Sequence, residues 1–426
     1  MSTSRVAKLL VAVALLTGWM LLPSGAEAAG GDFEGSNFRI SGSSDTGHEW
    51  FPSVAYNSTD DEYLVVGLDG SGDVIGQRIA PDGRRFGEMF GISGNRAVGV
   101  SVPAVVHNAV DSEYLVVWWD ARRAKGGDGD PTGDIFAQRI AADGSRIGWN
   151  LRVSGKEITS RWDPDLVHNV VRNEYLVVWE DGSRDIVGQR LSSDGERIGR
   201  RIPVSEADSV QAAYPAVAHD AAHNRYMVVW EDFRNYGVSG WDVYGQQVAA
   251  KGRLVDANFR ISGAAATAGD QYPGIGFNTN RNQYLVFWHD ERRDRQVGAD
   301  VYGQRLSAKA ERLGGNFRLT SDTTKSNGCC QSHSVAYNPT SDQYLALVAP
   351  IDQTEHVYGQ RVRANGKRLG AAFRISGPNA DVFGYGSNAV ACHPPRNEYL
   401  AVWADARNVD ARGIDIYGRR VTGAAP

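Results

Sequence analysis

Four short runs within residues 215–262 decide the fold: Pro215-Ala216-Val217-Ala218-His219, Tyr226-Met227-Val228-Val229, Val243-Tyr244-Gly245-Gln246-Gln247 and Asn258-Phe259-Arg260-Ile261-Ser262. Each is short and rich in β-branched or aromatic residues, and Gly, Asp and Asn punctuate the gaps, so the four read as strands. We denote them A, B, C and D in chain order. Working outward, every run recurs seven times. The B-strand tyrosines are Tyr63, Tyr114, Tyr175, Tyr226, Tyr284, Tyr344 and Tyr399, spaced 51, 61, 51, 58, 60 and 55 residues apart. The C runs lie at 74–78, 135–139, 186–190, 243–247, 301–305, 357–361 and 416–420, and the D runs end at Ser41, Ser93, Ser154, Ser205, Ser262, Thr320 and Ser376.

A unit of four antiparallel strands cannot bury both of its faces alone, so the seven units must pack side by side and close into a ring. The expected fold is all-β, a seven-bladed β-propeller with four antiparallel strands per blade. The chain opens on a D strand, 37–41, and ends on a C strand, 416–420. The last blade is therefore complete only if these two strands pair, which also covers an otherwise exposed edge. The pattern resembles seven-bladed β-propellers of exported bacterial proteins. It lacks both the Gly-His…Trp-Asp signature of WD40 repeats and the Ser-x-Asp-x-Gly-x-Thr-Trp box of sialidase-type propellers, so no family's catalytic residues carry over to it.

The first 28 residues stand outside the repeats. Arg5 and Lys8 precede an apolar run from Leu9 to Leu22, too short for an ordinary membrane span, and Ala26-Glu27-Ala28 fits a small-x-small cleavage site. This predicts a signal peptide over 1–28, a single propeller domain over 29–426, and a secreted, extracellular, monomeric product with no membrane span after cleavage near Ala28. Hydrophobic residues make up 42% of the 426 and Gly numbers 49, which suits a turn-rich β protein with ample core. A net charge of −5 leaves no basic footprint, so nucleic acid is not an expected partner.

Loop lengths distinguish the faces of the ring. The A–B connection has one length in all seven blades and the C–D connection one length in all six uninterrupted cases. The B–C connection runs seven residues from Gly67 to Val74 but 17 from Trp118 to Ile135, and the D–A connection also varies. The working surface is expected on the variable B–C/D–A face, near the mouth of the central channel. The D–A loops carry Trp50, Trp162, Tyr214 and Tyr272, with Arg161 and Asp270 beside them. Aromatic faces next to hydrogen-bonding groups suit a carbohydrate, free or on a cell surface.

Most repeated residues read as structural. The Trp four places after the B-strand Tyr (Trp118, Trp179, Trp230, Trp288, Trp403) is expected between blades. Asp69, Asp120, Asp181, Asp232, Asp290 and Asp405 follow two places beyond the Trp position, Asp73, Asp134, Asp185, Asp242, Asp300 and Asp415 precede strand C, and Arg122, Arg234, Arg292 and Arg407 lie between them; the set suggests a hairpin clamp, the alternative being a ring of similar sugar or cation sites, one per blade. His107, His168 and His219 stand where Tyr56, Phe277 and Tyr337 stand in other blades, and read as core.

Blades 6, 7 and 1 break the repeat, and an enzyme needs one asymmetric constellation. His333 as base, Tyr385 or His48 as acid and Asn388 as a substrate-holding group would suit a polysaccharide lyase or a glycoside hydrolase. A binding protein, this enzyme and a protein-interaction scaffold are thus three readings of one fold. Cys329 and Cys330 are expected to form a vicinal disulfide with Cys392 free, the alternatives being loop thiols or a bridge to Cys392. Asp128, Asp130 and Asp134 alternate as in a calcium loop, but Arg139 stands where the closing Glu is needed, so calcium is only a weak expectation. No other cofactor is expected.

Overall fold

A computed structural model describes residues 33–42, 47–94, 100–122, 132–155, 159–182, 184–205, 211–263, 269–292, 300–320, 334–348, 356–382 and 388–424. Within them, seven antiparallel four-stranded units follow the order A-B-C-D. The A strands are Trp50–Asn57, Ser101–Asn108, Thr159–Asn169, Ala212–Asp220, Asp270–Asn278, Val335–Asn338 and Asn388–His393. Each A strand touches the A strands of both neighbours, and Trp50–Asn57 touches Asn388–His393 to complete the circle. The A strands therefore line the axis. The ring closes as the strand order requires: Phe33–Arg39 pairs antiparallel with Asp415–Thr422, with Phe38 opposite Gly418 and Arg39 opposite Tyr417. Blades 2 and 3 share one further link, where Ser160 pairs with Thr132.

The conserved length of two loops now has a cause. In all seven blades the hydroxyl that ends strand D accepts the first N–H of strand C. Val74 donates to Ser93, Ile135 to Ser154, Ile186 to Ser205, Val243 to Ser262, Val301 to Thr320, Val357 to Ser376 and Ile416 to Ser41, all at 2.9–3.1 Å. At the A–B turn, the residue two before each B-strand Tyr has a left-handed backbone: Asp61, Ser112, Asn173, Asn224, Asn282, Asp342 and Asn397, with φ between 48° and 55°. Short polar side chains tolerate that region best. Where strand A ends in Asn, that side chain caps this turn, and in blades 2 and 3 it reaches the next blade. Asn108 Nδ2 donates to Tyr175 OH at 3.0 Å and Asn169 Nδ2 to Tyr226 OH at 2.8 Å.

Between blades, Trp118, Trp179, Trp230, Trp288 and Trp403 are fully buried, as their repetition predicts. His107, His168 and His219 pack on Tyr114, Tyr175 and Tyr226 with centroids 5.1–5.2 Å apart, but they are half-buried at the A–B end of the strand rather than in the core. Burial lowers all three imidazoles, His107 to about 4. Two helical turns, Tyr236–Ser239 and Val409–Arg412, interrupt the B–C loops of blades 4 and 7, where no strand pattern marks them. Among the described residues, no helix is long and apolar enough to cross a membrane.

Candidate functional site

The hairpin aspartates and arginines form clamps. In blades 2, 4, 5 and 7 the buried Asp120, Asp232, Asp290 and Asp405 each accept the indole N–H of the B-strand Trp and the guanidinium two residues on. The guanidinium also lies over the C-strand ring: Arg122 over Phe136, Arg234 over Tyr244, Arg292 over Tyr302 and Arg407 over Tyr417, at 4.0–4.4 Å. Carboxylate and ring together hold the cation, and these four sites are filled from within.

The channel end of strand A carries a second repeated device. Phe51, Val102, Asp163, Tyr214 and Tyr272, each directly before the strand's Pro, have φ between 31° and 53°. The ladder slips at the same place in all five blades, for example between Trp162 and Asp165 and between Ala213 and Ala216. Such a backbone costs a bulky residue about 1–3 kcal/mol, and the following Pro disfavours it further. The bulge turns one residue per blade out of the regular alternation at the D–A end of the strand; Phe51 packs on the core between blades 1 and 2, while Tyr214 and Tyr272 meet each other.

In blades 3–5 the re-aimed side chains meet residues one place beyond the B-strand Trp. Tyr214 packs edge-on against Tyr272 with centroids 4.7 Å apart, and Tyr272 N donates to Glu231 Oε2 at 3.1 Å. Trp162 stacks on Trp119 of blade 2 at 4.8 Å and 14°. A Cβ on Gly133 would come within 2.2 Å of Trp119 Nε1, so glycine there leaves the stack its room. Burial raises three carboxyls around these rings. Asp163 rises to about 6, Glu180 to about 7 with help from the Asp163 charge, and Glu231 to about 8 with help from Glu180, Asp163 and Glu291. Burial also keeps the Tyr214 hydroxyl protonated well above its usual range. Near neutral pH the Glu231 carboxyl and the Tyr214 hydroxyl therefore donate as well as accept hydrogen bonds, beside half-buried rings.

The expected site residues fall into several places. Tyr214 and Tyr272 come together as one pair, and Trp162 stacks on Trp119 as another. Arg161 lies on the same strand, opposite Asp181 in the ladder. Asp270 is fully buried, accepts from Trp288 Nε1 at 3.0 Å and faces Asp290, and burial beside that carboxylate raises it strongly. Trp50 lies away from the cluster, stacked on His48 at 5.6 Å and packed on Ala404, Ala406 and Ile414 of blade 7. His48 Nδ1 accepts from Ile414 N at 3.1 Å. Asn388 is buried on strand A of blade 7, opposite Trp403. His333, Tyr385, Cys329, Cys330, Asp128 and Asp130 lie outside the described residues. Asp134 is buried and bound by Arg152 and Ser154. Cys392 is half-buried and carries no disulfide, and burial raises its thiol. The sequence reading passed over Glu180 and Glu231. Their signal is the place five residues after the B-strand Tyr, which reads Leu68, Trp119, Glu180, Glu231, His289, Ala349 and Ala404 while its neighbours repeat. It also passed over Phe233, Tyr236 and Trp241, which stack on the B–C loop of blade 4 with Tyr236 more than half exposed.

No family model and no curated relative matches the chain. Solved structures do resemble it. The BP39L lectin from Burkholderia pseudomallei superposes over 91% of this chain and 98% of its own, with a TM-score of 0.62 at 16% identity. A protein of unknown function from Dyadobacter fermentans does so over 92% and 99%, at 0.53 and 11%. An α-L-arabinanase from Penicillium chrysogenum covers 90% and 97%, at 0.47 and 12%. At such identities the likeness is one of fold.

Proposed function

We propose that the protein is an exported glycan-binding propeller, released by cleavage near Ala28, whose ligand surface is the channel mouth of blades 2–5. The observation that carries this reading is the pair Tyr214 and Tyr272, held edge to face by two strained bulges over Glu231. The bulge recurs in five blades, and only in blades 4 and 5 does it bring two tyrosine rings together among the described residues. Ring faces beside uncharged donors and acceptors complement the apolar faces and hydroxyls of a neutral sugar. Among solved propellers of this fold is a lectin, which accords with the reading.

One observation favours a second reading. Carboxyls held at about 6, 7 and 8 in one cluster offer both a proton donor and an acceptor near neutral pH, the pairing that glycoside hydrolysis uses. The test is a panel of polysaccharides, read for retention on the protein and for new reducing ends. Retention without new ends supports a binding protein. New ends that vanish in Glu231→Gln support the hydrolase. A protein that retains and cleaves nothing overturns both.

A further inference from the structure

On the outer wall of the ring, strand D of one blade abuts the C–D turn of the next. A Cβ on the turn glycine would meet the apolar residue of that strand: Phe38 at Gly83, Phe90 at Gly144, Leu151 at Gly195, Ile202 at Gly252 and Phe317 at Gly366. The packing repeats, but the charge beside it does not. The residue before the turn glycine is Asp82, Asp143 and Asp194 in blades 1–3 and Lys251 in blade 4. Asp194 lies 3.5 Å from Arg139 of blade 2, whereas at the next junction Arg190 donates to the Lys251 carbonyl at 3.3 Å.

Strand D of blade 3 adds to this reversal. Gly199 has φ 69°, and the ladder slips opposite it between Gly188 and Arg190. The bulge presents Arg200 where the other blades have Ser36, Glu88, Trp149, Ala257, Gly315 and Ala371. Between this bulge and the blade 4 turn lies a groove of about 330 Å³, lined by Arg190, Arg200, Arg201, Lys251 and Arg253 among others. Every residue that lines it is described, and none is acidic. Two of the cations are neutralised within the chain, Arg190 by Glu174 and Arg201 by Asp181. The other three, Arg200, Lys251 and Arg253, are exposed. Among the described residues no carboxylate pairs with any of them, and Arg253 donates only to the Leu254 carbonyl, at 3.2 Å.

We infer that the groove between blades 3 and 4 binds a tetrahedral oxyanion, the sulfate or phosphate group of a sugar ester or the free ion. Three cations around one concave wall repel one another, on a chain whose net charge is −5, and an anion among them relieves that repulsion. Arginine forks take the oxygens of such a group two at a time, and the lysine adds a compact charge. A volume of about 330 Å³ lies at the small end of ligand pockets and leaves room for a sugar beside its anion. The A strands line the axis and strand D is outermost, so this site is separate from the channel mouth and does not depend on the glycan reading there.

The test is calorimetric titration of the purified protein with sodium sulfate, glucose-6-sulfate, glucose-6-phosphate and glucose, at one ionic strength held with sodium chloride. The three anions should bind saturably, and more weakly as sodium chloride is raised. Esters that bind more tightly than sulfate put the sugar in the groove, and equal affinity means that the oxyanion alone is read. Arg200→Ala combined with Lys251→Asp installs residues that sibling blades carry at both places, so the fold should keep its melting temperature. Anion binding in that variant should weaken at least about tenfold. Tyr214→Ala/Tyr272→Ala should leave anion binding unchanged. Anions that do not saturate, glucose bound as tightly as its esters, binding unchanged in Arg200→Ala/Lys251→Asp, or binding lost in the tyrosine variant would each overturn the inference.

Discussion

Ile416 donates its backbone N–H to Ser41 Oγ at 3.0 Å across 375 residues of chain. The same bond, at 2.9–3.1 Å, joins strands C and D inside each of the other six blades. The seam of the ring is therefore built like its interior. Removing residues 29–41 strips strand D from blade 7 and exposes the edge of Asp415–Thr422. The melting temperature should fall by roughly 10 °C or more. Ser41→Ala should cost about 1 kcal/mol, matching Ser262→Ala inside blade 4. An unchanged melting temperature on deletion would contradict closure by these strands.

The clamps predict an asymmetric response. Asp232 is fully buried and its charge is balanced by Arg234. Arg234→Ala leaves that carboxylate buried without its partner and should cost about 3–5 kcal/mol in denaturant unfolding. Arg234→Ala combined with Asp232→Asn should recover part of the loss, because the stranded charge goes too. A double variant worse by the full sum of its parts would deny the coupling.

The channel-mouth carboxyls set an alkaline slope. Glu231 is held near 8 in the folded protein and near 4 unfolded, so between those values the folded state binds more protons. Its contribution is full below the unfolded value and is lost as pH rises through about 8. The melting temperature should fall between pH 5 and 9, and Glu231→Gln should flatten that fall by a few degrees. A slope identical in the variant would mean that Glu231 ionises normally.

The strand A histidines act on the acid side with the opposite sign. Burial lowers His107 to about 4, so between about 6.5 and 4 the unfolded chain binds more protons and stability is lost on acidification. Tyr56 and Tyr337 fill the same place and donate to Asp61 and Asp342 at 2.9 Å. His107→Tyr should therefore remove acid sensitivity over this range without harming the fold at pH 7. Melting curves from pH 4 to 7 would show an unaltered acid limb if the position does not titrate.

The ring was legible because the same physical demands recur seven times. The D-strand hydroxyl in seven blades, the left-handed turn residue two before each B-strand Tyr and the buried Trp in five are one-residue solutions to one geometry, so they repeat at fixed offsets. The mouth was only half legible. Tyr214 and Tyr272 were visible as loop-tip aromatics, but the bulges behind them depend on the sign of φ before Pro215 and Pro273, which no residue type announces. Glu180 and Glu231 sit where strand alternation makes a side chain face inward, and only variation at that place marks them. Blade 1 looked degenerate because Gly67 replaces a Trp. A Cβ there would come within 2.7 Å of Ile416 Cδ1, so blade 7 fills the space.

The most direct test of the functional account is calorimetric titration of a glycan retained from the panel against three proteins: wild type, Tyr214→Ala/Tyr272→Ala, and Trp149→Ala. Trp149 is 88% exposed on an outer strand and serves as the control for a lost aromatic surface. The account predicts at least about tenfold weaker binding in the double variant and no change in Trp149→Ala. Binding that survives the double variant intact, or that is lost with Trp149, would contradict a ligand site at the channel mouth.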